Sequence, residues 1–405
     1  MKVLILADNL EVNRTSSGIT CNNQIYAYVK YFDKVNVVTA THLDQFKQLE
    51  NVDYKVIREN KKTFFENLPR ISALPAYVTG LNFTGKRIVE SWKAEIVNKL
   101  KNDNYDLVVS LGSGSRFYTS YAMIEINKEL YGKYLMFIHD PYPIDQYPPP
   151  YQKKSTYLTK MQSGLFGDAI KKADIVSFPS HRLMEWMSQY YSFIKNKYII
   201  QPHLGSSLEE LENILPHQIQ TTIPEFNNGV DIVHTGTLLG PRNPHYLIKA
   251  LNHLFKDYPE SKEIIHLHII GKMTRDWDEN EFTTPNVHVY SKRYTYHESL
   301  LIQRKADVLL LLEAVSEVSP FMPGKLADYL VANKPILALT PKKSETTRIL
   351  GNQYKLIVEN GNESQIYKKL KIIYKKHQKK ELNKLSPSID SIKPDNWYKQ
   401  LMNRF

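Results

Sequence analysis

Short apolar runs alternate with longer stretches of helical periodicity through most of the chain. Residues 2–7 form the first run, and a helical pattern over about 22–31 follows it. Further runs lie at 34–38, 106–111, 134–139 and 173–178. Near-continuous apolar strands separated by helices predict a parallel sheet covered on both faces. The pattern then restarts, with runs at 230–235, 265–270, 287–290, 308–312 and 335–339. Between the two sets lies a polar stretch, 206–229, with Pro216, Pro224 and Asn227-Asn-Gly229, which marks a boundary. The expectation is an α/β protein of two Rossmann-like, doubly wound domains, 1–205 and 229–385, joined by a linker at 206–228. A lysine-dense helical pattern over 365–385 stops before Pro387, and 386–405 carries Trp397 at helical spacing as a final helix.

Composition narrows the class. The chain has 405 residues, 42% hydrophobic and 23% charged, which suits a packed core and not wholesale disorder. No apolar run reaches the roughly 18 residues of a membrane span. Asp8 interrupts the apolar start, which reads as a first strand and not as a signal peptide. Cys21 is the single cysteine, so neither an intramolecular disulfide nor a cysteine-rich metal site is expected, and a cytoplasmic location is the default. The net charge of +11 fits a solvated lysine surface, or attraction to anionic lipid or phosphorylated substrates. Nucleic acid is not an expected partner, because zinc-finger spacing and RNA-recognition signatures are both missing.

Ligands of doubly wound sheets bind beyond the carboxyl ends of the strands, and the candidate chemistry sits there. The loop Ser319-Pro-Phe-Met-Pro-Gly324 opens a helix bearing Lys325 and Asp328. Free N–H groups at a helix N-terminus make an anion site, and Lys325 can reach phosphate or remain a surface lysine. Asp328, one turn in, can bind sugar hydroxyls. In the loop after the first strand, Gly18 allows close backbone approach to phosphate, with Ser17 and Thr20 as added donors. The alternative there is an ordinary helix cap by Ser16 or Ser17. Ser113 and Arg116 follow the 106–111 strand and can hold an acceptor or its phosphate, or form only a tight turn. His139-Asp-Pro-Tyr-Pro143 ends another strand. His139 is expected to donate to a sugar hydroxyl, Asp140 to orient the acceptor, and Tyr142 with Tyr147 to stack on a sugar or pack locally. Gly236 and Arg242 follow the 230–235 strand, and a guanidinium suits a diphosphate. Gly271 and Ser291-Lys-Arg-Tyr294 end the next two strands and are expected near the nucleotide.

The order of a Pro/Gly loop, the helix Lys325-Leu-Ala-Asp-Tyr-Leu330 and the strand Lys334-Pro-Ile-Leu-Ala338 resembles the donor-binding passage of family 4-like glycosyltransferases of the GT-B fold. His234–Pro244 is similar to that family's first C-domain loop, Ile269-Ile-Gly271 to its nucleotide-side turn, and His139 to its cleft histidine, which contacts the donor sugar. Three departures stand out: Thr237 replaces an arginine, Asn243 a lysine, and Pro320 the first of two acids, of which Asp328 is the second. The backbone N–H groups of the loop Phe321-Met322-Pro323-Gly324, with Ser319, are then expected to replace the donor-sugar contact of the missing acid. The resemblance implies two domains facing a cleft and a C-terminal helix crossing back to the first. It implies a hexosyl or other glycosyl transfer from a nucleotide diphosphate sugar to a hydroxyl of a glycan or lipid-linked glycan. Retention of configuration, bacterial-type polysaccharide or glycoconjugate assembly and independence of metal are further implications. An inverting enzyme would use Asp140 or His139 as general base. Two alternatives are a non-catalytic glycan- or lipid-binding protein of the same fold and a sugar-nucleotide epimerase.

Residues 60–87 mix Lys61, Lys62, Arg70, Lys86 and Arg87 with Phe64, Phe65, Tyr77 and Phe83. One reading is shallow insertion into an anionic membrane surface, on the inner face of the membrane. The other is a helix pair packed over the sheet, with Phe64 and Phe65 in the core.

Overall fold

A computed structural model describes the chain except residues 13–14, 47, 59, 113, 115, 207–222, 227–228, 275–283 and 285. Its contacts divide the chain into two units, Met1–His203 with Pro394–Phe405, and Leu204–Lys393.

In the first unit, β1 (Lys2–Ala7), β2 (Lys34–Thr39), β3 (Asp53–Val56), β4 (Leu107–Leu111), β5 (Lys133–Phe137), β6 (Ile175–Phe178) and β7 (Tyr198–Ile200) form a parallel sheet. Its order is β3-β2-β1-β4-β5-β6-β7. The direction of winding reverses between β1 and β4, which places the ligand crevice of such a sheet at their carboxyl ends. β1 and β4 are apolar and buried because helices cover both faces. Trp92, Phe117, Phe166 and Tyr134 fill the core on one side. β3 and β7 escaped the hydrophobic pattern. β3 is a half-exposed edge strand with alternating residues, and β7 spans only Tyr198–Ile200.

The first helix runs over Ser16–Tyr31, earlier than its apolar periodicity indicated. Thr15 caps it, accepting from Gly18 N at 3.1 Å, in place of the expected Ser16 or Ser17. The final helix, Pro394–Met402, belongs to this unit. Trp397 is buried with its ring 5.1 Å from Tyr28, and Tyr398 stacks on Tyr31 at 4.4 Å. Tyr31 adds a hydroxyl donated to Asp395 at 2.6 Å. The expected return of the C-terminal helix to the first unit is thus made by aromatic packing.

Residues 64–79 form three short helical pieces, Phe64–Asn67, Pro69–Ala73 and Ala76–Thr79. Phe64 is 73% exposed and Phe65 51%, so neither lies in the core. Phe65 stacks on Phe83 at the surface. Arg87 is not a free surface cation. It pairs with Glu66 at 2.9 Å, donates to Asn60 O at 2.8 Å, and holds the Glu66 carboxyl down to about 2.

The second unit repeats the scheme. β8 (Val230–Thr235), β9 (Ile265–Ile270), β10 (Val287–Tyr290), β11 (Val308–Leu312), β12 (Val318–Ser319), β13 (Ile336–Leu339), β14 (Lys343–Ser344) and β15 (Ile357–Val358) are its strands. The main sheet runs β10-β9-β8-β11-β13-β15, and β12 pairs with β14 separately. The winding reverses between β8 and β11. Apolar clusters lie on both faces, around Leu251 and Leu310 on one and Leu309, Leu326 and Tyr329 on the other. The lysine-rich helix covers Glu363–Gln378 only. Lys380 then takes a left-handed φ of 54°, and a single turn of 3-10 helix follows at Leu382–Leu385.

Candidate active site

In the second unit, β8 ends at Thr235 and β9 at Ile270, and each is followed by a glycine of positive φ, Gly236 at 100° and Gly271 at 133°. A Cβ on Gly271 would sit 2.5 Å from the Gly236 carbonyl oxygen. The two turns therefore pack backbone on backbone, and this contact accounts for the glycine at 271. Both N–H groups are committed: Gly236 donates to Ile270 O at 2.8 Å and Gly271 to Tyr290 O at 3.0 Å. Beyond Gly236 the chain keeps to the extension of β9, with Leu238 N donating to Lys272 O at 3.0 Å. A turn closed by Arg242 N to Leu239 O, 2.7 Å, then presents the half-buried Arg242.

Lys325 enters from the helix Gly324–Val331. Its ammonium donates to Thr235 O at 2.7 Å and lies 3.3 Å from His234 Nε2 and 3.3 Å from where a Cβ on Gly236 would be. His234 Nδ1 is 3.2 Å from Leu310 O. A carbonyl only accepts, so Nδ1 carries the proton and Nε2 offers its lone pair to Lys325. Burial, and then the charge of Lys325, hold His234 well below the ordinary histidine value, so the ring is neutral. Burial and then Arg242 push Lys325 down to about 7. Lys325 makes no carboxylate ion pair among the described residues. In this helix's first turn Leu326 N donates to Pro323 O at 2.9 Å, and the N–H groups of Gly324 and Lys325 have no intrahelical acceptor. A cationic cluster with helix N–H groups beside it is suited to a phosphate.

The other residues expected at this site have varied positions. Asp328 is 8% exposed, and its Oδ1 accepts from Tyr296 Oη at 2.9 Å and Ser206 N at 3.1 Å. These bonds tie the start of the second unit to the helix and commit the oxygen that was expected to bind sugar hydroxyls. Ser319 is buried with its hydroxyl donated to Glu313, and so is turned from any donor sugar. Met322 packs in the core with Leu326, while Phe321 and Pro323 are half-buried and Gly324 is exposed. Glu313, directly after β11, organises this loop. It is buried and also accepts from Thr340 Oγ1 at 2.5 Å and Thr346 Oγ1 at 2.6 Å, while its carbonyl accepts from Asn360 at 2.7 Å. The signal was present: a glutamate directly after four leucines at a strand end. His234, with no role in the sequence reading, is the second such residue.

In the first unit, His139 follows β5 and is 6% exposed. It lies 4.3 Å from the Phe137 ring and is stacked 5.7 Å from His203. The ring bonds the Gly112 backbone, and Nε2 is buried without a hydrogen-bond partner. Burial, reinforced by His203, keeps His139 neutral, and burial pushes His203 down to about 4. With the proton on Nδ1 toward Gly112, Nε2 presents a lone pair, where a donor had been expected.

Cys21 Sγ is 3.7 Å from the same Gly112 carbonyl. Asp140 is half-buried with partners of its own. Arg116 is exposed, and Ser113 lies outside the described residues. Tyr142 is buried among Phe117 and Phe166, at 5.2 and 5.0 Å, and packs locally in place of stacking on a ligand. Gly18 is explained by its own chain: a Cβ there would lie 2.2 Å from Glu11 O. Its N–H is capped by Thr15, and the Thr20 hydroxyl bonds back to Ser16 O at 3.0 Å, so neither is turned to phosphate.

No family model matches the sequence. No curated protein matches it either. Solved structures do match, over the whole chain. A trehalose-6-phosphate protein from E. coli bound with UDP-2-fluoro glucose aligns at TM-score 0.60 and 13% identity, covering 99% of this chain and 98% of that one. Anabaena HepE in complex with UDP aligns at TM-score 0.60 and 13% identity, covering 100% of each. An alpha,alpha-trehalose-phosphate synthase (UDP-forming) from Burkholderia xenovorans in complex with glucose-6-phosphate gives 0.60 at 11% identity, covering 100% and 99%. The fold is GT-B. The narrower likeness to family 4 has no counterpart in these matches. Among the described residues, no group of metal-ligating side chains is placed to hold an ion, and no helix is long and apolar enough to cross a membrane.

Proposed function

We propose that the chain is a nucleotide-sugar-dependent glycosyltransferase, with the diphosphate of the donor bound at the strand ends of the second unit. The observation that carries this reading is the pairing of Lys325 with Arg242 beside Gly236, at the point where the sheet reverses. GT-B relatives whose structures hold UDP or UDP-2-fluoro glucose support a uridine or similar donor. Lys325, Arg242 and the helix N–H groups would neutralise the leaving diphosphate as charge develops on it. The reaction then needs no metal, and EDTA should leave transfer intact. His139 would accept a hydrogen bond from a sugar hydroxyl through Nε2, beside Asp140. The acceptor would be a hydroxyl of a glycan or lipid-linked glycan, with retention of configuration, in bacterial-type polysaccharide or glycoconjugate assembly.

The test is a thermal-shift panel of UDP, GDP, ADP and their sugars, since a ligand of the native state raises the melting temperature. Arg242→Ala is expected to fold normally and to lose roughly 1.5–3 kcal/mol of nucleotide-sugar affinity, the value of a charged hydrogen bond. Unchanged affinity in the folded variant would remove Arg242 from the donor site.

We also propose that this enzyme works at the anionic inner face of a membrane, through residues 61–86. Phe64, Phe65, Leu74, Tyr77 and Val78 are exposed there, with Lys61, Lys62 and Arg70 exposed among them. The single acid of the segment, Glu66, is already paired with Arg87. Each base near an anionic surface contributes about 1 kcal/mol. The protein should co-sediment with phosphatidylglycerol vesicles at low salt and not with phosphatidylcholine vesicles. Charge reversal at Lys61, Lys62, Arg70 and Lys86 should abolish the difference. Equal recovery with both lipids would mean that the patch serves another purpose.

A further inference from the structure

The Lys325 ammonium is enclosed by a carbonyl, Thr235 O, and an imidazole lone pair, His234 Nε2, neither of which carries a negative charge. The ionisable groups around it offer no compensation. His234 is neutral, and Arg242 opposes a second positive charge. Tyr329 directs its hydroxyl to Thr235, 3.3 Å from the nitrogen, and Asp328 directs Oδ1 to Ser206 and Tyr296. We propose that Lys325 takes up a proton as the diphosphate of a sugar nucleotide binds, so that donor affinity is coupled to pH. This rests on the reading of the site given above.

The physical argument is one of linkage. In the free protein, burial and Arg242 oppose the charged form of Lys325, and its pKa is pushed down to about 7. A diphosphate brings negative charge next to Nζ and raises that pKa. A proton from solvent moves onto Nζ, and no covalent bond to the ligand forms or breaks. Below pH 7 the lysine is already charged, so affinity is at its maximum and flat. Between about 7 and the raised value in the complex, affinity falls by at most about tenfold per pH unit, because a single proton is linked. Above that value it is flat again. His234 keeps the side chain in place throughout, since Nε2 accepts from an ammonium and from a neutral amine alike.

Isothermal titration calorimetry at about pH 7.5 tests the idea, with UDP-glucose, GDP-mannose and ADP-glucose as probes. Their pyrophosphates are fully esterified and have no proton to exchange near neutrality. The probe that binds is titrated in phosphate, HEPES and Tris, whose ionisation enthalpies differ. Proton uptake makes the apparent enthalpy change linearly with buffer ionisation enthalpy. Lys325→Arg, always charged, should bind with no buffer dependence and an affinity flat from pH 6 to 9. Lys325→Met should also lose the buffer dependence, and should bind more weakly than wild type at pH 6 with the gap narrowing by pH 9. A wild-type enthalpy independent of buffer would overturn proton uptake while leaving the donor site intact. A buffer dependence that survives in Lys325→Arg would assign the proton to another group and overturn the inference equally. Failure of every probe to bind would overturn the site reading, and this inference with it.

Discussion

Glu313→Ala is expected to loosen the second unit by roughly 3–5 kcal/mol, since stranding a buried polar group costs ~1–3 kcal/mol. The wild-type carboxylate accepts from the hydroxyls of Ser319, Thr340 and Thr346, and all these residues are buried. Those residues belong to the loop before Lys325, the end of β13 and the helix Glu345–Leu350, so one side chain joins separate elements. Alanine leaves hydroxyls unpaired and a gap that their neighbours fill only in part. Glu313→Gln keeps one acceptor oxygen and should cost about half as much. Amide hydrogen exchange of β11 and β13 reads the effect locally, which avoids treating a chain of two units as a single transition. If the alanine and glutamine variants exchange at the same rate, the hydroxyl account fails.

Gly271→Ala should have a comparable effect by a different route. At a φ of 133° an L side chain is strained by about 1–3 kcal/mol. The added methyl would also meet the Gly236 carbonyl at 2.5 Å, and backbone cannot rotate away as a side-chain tip can. Overpacking adds another ~1–3 kcal/mol, for a total of roughly 2–6 kcal/mol. The Gly236 turn should shift with it, which would weaken nucleotide-sugar binding too. Gly351→Ala is the control. Its φ is 83° and its ψ 147°, but no atom lies within 4 Å of the added Cβ, so only backbone strain of about 1–3 kcal/mol remains. Equal losses of melting temperature in the two variants would mean that the contact with Gly236 contributes nothing.

The sheets were legible because the central strands are buried on both faces. Burial on two sides demands apolar residues at successive positions, and β1, β4, β8, β9, β11 and β13 all announce themselves in this way. β3, β7, β12, β14 and β15 did not, being short or at an edge, where one face or one side of the ladder imposes no such demand. The order of the elements also placed the candidate loops correctly at strand ends, since in a parallel sheet every strand-to-helix turn falls on the same edge. The rival reading of residues 60–83 turned on exposure, which periodicity alone does not report for helical pieces of a single turn.

What the sequence determined by itself was therefore the parallel doubly wound plan, its repetition, and the set of candidate loops at the strand ends. Which atoms face a ligand was decided by tertiary packing. Gly18 and Gly271 look alike as ligand-approach glycines in sequence, but each is filled by the chain's own backbone. Ser319 and Tyr142 are chemically suited to a sugar, but Glu313 and an aromatic cluster claim them. His139 offers Nε2 as an acceptor because its other ring nitrogen donates to the Gly112 backbone, distant in sequence. Burial at the end of β8, and then Arg242, push Lys325 down to about 7. Hydrogen bonds, desolvation and charge act over a few ångströms between residues far apart along the chain. They exist only once the fold has brought those residues together.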